Sequence, residues 1–89
     1  MQNKPNLMEP TQPIETLRPI HIGEKIKCQM LLKHCSATWL ASKLYCDRTN
    51  IYKIFARPSI DSDLLLRISV ALKHNFFAYY RDFYSATAE

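Results

Sequence analysis

The stretch Thr38-Trp39-Leu40-Ala41-Ser42-Lys43-Leu44-Tyr45-Cys46-Asp47-Arg48-Thr49-Asn50-Ile51-Tyr52-Lys53-Ile54-Phe55 decides how this chain folds. Leu40 and Leu44 stand one helical turn apart, with the small Ala41 beside them. Ile51, Ile54 and Phe55 repeat at helical spacing, and Arg48, Thr49, Asn50 and Lys53 fall on other faces. Ser36 can cap the earlier segment and Asp47 the later one. Pro58 stops the later segment and biases Arg57 away from helical angles. The pattern predicts a short helix ending around Tyr45 and a second from about Arg48 to Ala56. Ala41 lets the two approach closely, and Ile51 fills the space beneath it. Such a crossing leaves the outer face of the second helix exposed, narrow enough for a DNA major groove roughly 12 Å wide.

Working outward, Ile22, Ile26 and Met30 share one face of an earlier helix, predicted from near Ile22 to His34 or Cys35. Lys33 suits the negative end of that helix. Downstream, Asp61 can cap a fourth helix with Asp63 in its first turn and Leu64, Leu65, Ile68, Ala71 and Leu72 on its apolar face. Asn75 can either end that helix in a left-handed conformation or cap the next one. A last helix is expected from Phe76 to about Tyr84, dense in aromatics. Residues 1–20 carry Pro5, Pro10, Pro13 and Pro19, too many for a helix or a central strand, and read as a flexible or extended arm. The expected organisation is therefore a Pro-rich arm over 1–20 and one helical domain over 21–85.

Composition agrees. The 89 residues include a single glycine, Gly23, and 47% apolar residues. That is enough for one small core and too little glycine for tight hairpins, so the expected class is all-α. No apolar run approaches the roughly 18 residues of a membrane span, and no secretory signal pattern opens the chain. Three cysteines, an odd number, argue against a disulfide framework. A cytoplasmic location away from membranes is the expectation. The net charge of +4 is not spread evenly. Over 37–58, Lys43, Arg48, Lys53 and Arg57 face only Asp47, so the positive charge concentrates on the two central helices.

With these residues in view, the chain resembles the phage-repressor-like (Xre/Cro) helix-turn-helix family over about His21 to Tyr84. The run from Thr38 to Phe55 carries the resemblance, with Ser59-Ile60-Asp61-Ser62-Asp63-Leu64-Leu65-Leu66-Arg67-Ile68 as the helix that follows the motif. The resemblance implies a five-helix bundle that binds double-stranded DNA, often as a dimer. It implies base readout by Arg48, Thr49, Asn50, Tyr52 and Lys53, and phosphate contacts by Lys43 and Arg57. Leu40, Ala41, Leu44, Ile51 and Ile54 would form the motif core. Arg48 can donate two hydrogen bonds to guanine, and Asn50 can pair with adenine. Two departures stand out. Tyr45 occupies the turn position where the family usually has glycine, at a cost of about 1 kcal/mol if a positive φ is needed there. Ala37 replaces the polar residue, often Gln, that opens the first helix of the motif in many members.

The aromatics of the last helix exceed what one helix face can bury, so Phe76, Phe77, Tyr80, Phe83 and Tyr84 are candidate contacts of a homodimer. An alternative reading is a protein-interaction module, antitoxin-like, that uses the arm or this aromatic helix on a protein partner. An enzyme is not expected: the sequence holds no Gly-rich phosphate loop, no metal-ligand pair and no nucleophile with an evident base. Cys28, Cys35 and Cys46 fit no zinc spacing, Cys46 reads as small core filler, and no cofactor is implied.

Overall fold

Helix starts are set by caps. The computed structural model describes residues 20–87. Among them run α1 (Ile22–Leu32), α2 (Ala37–Leu44), α3 (Arg48–Phe55), α4 (Ser62–Leu72) and α5 (Phe77–Thr87), with no strand. At α2 the Trp39 N–H donates to Ser36 Oγ at 3.0 Å. At α4 the Leu64 N–H donates to Asp61 Oδ1 at 2.8 Å. Both bonds satisfy amides that a helix start leaves without partners. Asp47 stands at the N-cap of α3 in extended conformation, but its side chain makes no capping bond. α1 is capped by a residue the sequence reading did not single out: the Glu24 N–H donates to His21 Nδ1 at 3.1 Å.

Helix ends follow one device three times. His34 and Tyr45 (both φ 58°) and Lys73 (φ 53°) take the left-handed conformation. The next amide then reaches back five residues: Cys35 to the Met30 carbonyl at 2.9 Å, Cys46 to Ala41 at 3.0 Å, and His74 to Ser69 at 3.1 Å. Glycine usually makes this turn because a Cβ costs about 1–2 kcal/mol there. With its one glycine used elsewhere, the chain makes all three turns with side chains that carry that cost. Lys73, not Asn75, is therefore the left-handed residue that ends α4. Asn75 serves the following helix, accepting the Phe77 N–H on Oδ1 at 3.0 Å.

The core is built from the predicted faces. Ile22, Ile26 and Met30 of α1, Leu40 and Ala41 of α2, Ile51 and Ile54 of α3, and Leu65, Ile68 and Leu72 of α4 are buried together. Leu44, Phe55, Leu64 and Ala71 pack half-buried around them, as does Trp39. Each fully buried aliphatic side chain contributes about 1.5–3 kcal/mol. α3 lies between α1 and α2, and α2 also packs on α4. Gly23 sits where α1 meets the end of α3. The amides of Ile22 and Gly23 donate to the carbonyls of Pro58 (2.9 Å) and Arg57 (3.0 Å). A Cβ on Gly23 would overlap the carbonyl oxygens of Ile54 and Phe55. The first amides of α1, which have no partner within their own helix, are thus satisfied by carbonyls of the segment that follows α3.

α5 departs from expectation. It begins at Phe77 rather than Phe76 and extends past Tyr84 to Thr87. Phe76 is fully buried, its N–H directed to Ser69 Oγ at 3.4 Å and its ring edge-on to His74 at 4.7 Å. It belongs to the core of its own domain, because the left-handed turn at Lys73 points the connection inward before α5 starts. α5 itself contributes no buried residue. It is held by the half-buried Tyr79 and Tyr80, by a 2.9 Å hydrogen bond between the Tyr79 hydroxyl and His74 Nε2, and by Lys25 over the Tyr79 ring. Burial pushes the Tyr80 phenol above its ordinary pKa. The arm expected over residues 1–20 lies outside the described residues except for Ile20, which packs against the core. No helix among the described residues is long and apolar enough to cross a membrane.

Candidate nucleic-acid interface

The turn between α2 and α3 is Tyr45-Cys46-Asp47. Both the Tyr45 and the Cys46 amides converge on the Ala41 carbonyl. With Tyr45 at φ 58° and ψ 46°, the chain turns between the two helices and α3 packs back onto α2. Ala41 is 3% exposed and Ile51 is 0% exposed, as needed where two helices touch closely. The Tyr45 side chain is 95% exposed, so the backbone strain is not offset by packing of its ring.

Because Ile51 and Ile54 point inward and Phe55 is half-buried beside them, the remaining five residues of α3 face solvent. Arg48, Thr49, Asn50, Tyr52 and Lys53 are all exposed. Arg48 and Thr49 open the helix, and Lys53 lies a turn further on. Tyr52 is steadied by an edge-on contact with Phe55, the ring centroids 6.0 Å apart. The result is a short polar face with two cations, an amide, a hydroxyl and a phenol, all able to donate hydrogen bonds.

The phosphate candidates do not sit together. Arg57, just past α3, lines a cleft of about 310 Å³ between α3 and α4 with Asn50, Lys53 and Arg67. Lys43 lies on the other side of the α2–α3 turn. It borders a shallow apolar groove of about 500 Å³ formed with Tyr45, Leu66 and Val70, and its ammonium stands 5.6 Å from the Trp39 ring centroid. Arg67 borders both concavities. It was not singled out from the sequence, where it appears as one polar position on an amphipathic helix. Its place beside α3 depends on how α4 packs, which periodicity does not reveal. None of these cations is neutralised locally: among the described residues the one ion pair is the exposed Arg81–Asp82.

The aromatic set divides. Phe76 is in the core, Tyr80 and Phe83 are half-buried, and Phe77 and Tyr84 are exposed. Phe76 is thereby removed from the candidate dimer contacts. Cys46 is half-buried beside the α3–α4 cleft rather than enclosed, and Cys28 is exposed. No group of three or more His, Cys, Asp or Glu side chains among the described residues could hold a metal ion. The chain matches no family model, no curated protein and no solved structure.

Proposed function

We propose that the protein binds double-stranded DNA in a sequence-specific way and regulates transcription, as a helix-turn-helix domain of the phage-repressor-like (Xre/Cro) type. In this reading α3 enters the major groove, where Arg48, Thr49, Asn50, Tyr52 and Lys53 meet base edges, and Lys43 and Arg57 meet phosphates. One observation carries the proposal. α3 is anchored through the buried Ile51 and Ile54 and the half-buried Phe55, and its outer face is exposed, cationic and free of ion pairs among the described residues. Holding such a face unpartnered contributes nothing to the core, whereas against a phosphate-lined groove every group on it finds a partner.

Selection from randomised duplex DNA at physiological salt tests the reading. A single enriched motif is expected, and failure to enrich any sequence over repeated rounds would remove the claim of specific recognition. A second reading, self-association through α5, is favoured by the exposure of Tyr84 at 69% and by the absence of any buried residue in that helix. It predicts a palindromic motif with half-sites roughly 34 Å apart. A particle that stays monomeric in sedimentation at high concentration, with and without duplex, would exclude it.

A further inference from the structure

We propose that the cleft between α3 and α4 seats one phosphodiester of a bound duplex, and that Arg67 anchors it from α4. The inference rests on the DNA-binding reading and adds a contact that the recognition helix does not supply.

The cleft has about 310 Å³ of space, and three cations border it: Lys53 on α3, Arg57 just after α3, and Arg67 on α4. Asn50 joins them, while Leu44, Ile54 and Leu64 form its apolar walls. No carboxylate lines it. None of the three cations is ion-paired within the described residues. Three like charges around one concavity repel one another, screened by water because all three side chains are exposed. An anion entering the cleft offsets that repulsion.

The donor set selects a phosphate oxyanion. The Arg57 and Arg67 guanidinium groups present planar forks that fit two phosphate oxygens at once. Lys53 adds a point charge, and Asn50 an amide donor. Asn50 and Lys53 belong to the same helix as Arg48, so a phosphate here adjoins the groove that α3 would enter. Asn50 both lines the cleft and belongs to the exposed face of α3, so its amide can serve a base edge in the groove or the adjoining phosphate. Arg67 comes from a different helix. A phosphate bridged between α3 and α4 would therefore fix the tilt of α3 relative to the backbone, which contacts from α3 alone leave free.

The test uses the full chain and measures affinity for a mixed-sequence duplex, and for a selected one, across roughly 50 to 200 mM salt. Arg67→Gln is expected to weaken both duplexes by the same factor, about 3- to 10-fold, and to reduce the slope of log affinity against log salt by about 1. Arg67→Lys should keep the slope and lose part of the affinity. Lys27→Gln removes an exposed charge on α1, away from the cleft, and should change neither quantity. Arg67 is exposed, so an unchanged helical circular-dichroism signal is expected for its variants. If wild type binds and Arg67→Gln keeps the wild-type slope, or loses no more than Lys27→Gln, the cleft assignment is wrong and the DNA reading stands. If wild type itself shows no salt-dependent duplex binding, both fall together.

Discussion

The Gly23 amide donates to the Arg57 carbonyl at 3.0 Å, tying the start of α1 to the segment just past α3. The contact is tight enough that a Cβ at Gly23 has no space against the backbone of Ile54 and Phe55. Gly23→Ala should gain about 1 kcal/mol of helix propensity but force the two backbones apart. Overpacking of this kind costs about 1–3 kcal/mol, and the strained Ile22 and Gly23 hydrogen bonds add to it. The net expectation is a loss of about 2 kcal/mol, read as a lower urea midpoint. A variant as stable as wild type would show that α1 can slide away without cost. Since α1 backs α3, the same variant should also weaken DNA binding.

Tyr45 gives the opposite prediction. Its left-handed backbone costs about 1–2 kcal/mol, and its exposed ring recovers little. Tyr45→Gly removes the strain and returns about 0.5–1 kcal/mol as unfolded-state entropy. A net gain of about 0.5–1 kcal/mol is expected, raising the thermal midpoint by about 2–8 °C. Tyr45→Ala keeps a Cβ and should gain nothing. Equal gains from both substitutions would mean that the tyrosine side chain, not the backbone angle, carries the cost.

The fold was legible in proportion to how local its causes are. Ser36 and Asp61 were readable as caps because a side chain bonding three residues ahead is written in a few consecutive letters. The inward positions of α1 to α4 followed from helical period alone. Tyr45 was recognisable as an anomaly, since a turn needing positive φ met a residue that resists it. What escaped was set by distant packing. Nothing near Phe76 announces that it leaves the last helix for the core, because the left-handed turn at Lys73 and the hydroxyl of Ser69 decide it. Arg67 reads as an ordinary exposed residue until α4 is laid beside α3. His21 was missed because an imidazole is an uncommon cap.

α5 is attached by polar edges more than by burial, which makes it the element expected to open first. The Tyr79 hydroxyl reaches His74 Nε2 at 2.9 Å in a part-buried position. Tyr79→Phe should cost about 0.5–1.5 kcal/mol while leaving the ring packing in place. Native-state hydrogen exchange checks the location of the effect. The amides of α5 should exchange faster in the variant, and those of α2 and α3 should shift only by the global loss. Uniform acceleration in all helices would instead make α5 part of one cooperative unit.

The two halves of the proposed interface differ in what their removal should do. Arg48 is exposed at the first position of α3, where a guanidinium can take guanine O6 and N7 together. Arg48→Ala should cost about 1–3 kcal/mol on the preferred sequence and little on unrelated duplexes, so that discrimination collapses at one base position. Lys43 lies beyond the α2–α3 turn, against Trp39, and can offer only charge to a phosphate. Lys43→Ala should weaken preferred and unrelated duplexes by the same factor and lower the salt slope by about 1. Competition binding with single-base variants of the selected site separates the two effects. If Arg48→Ala left the base preferences intact, α3 would be lying along the backbone, and the exposed cations of its outer face would be steering groups rather than readers of sequence.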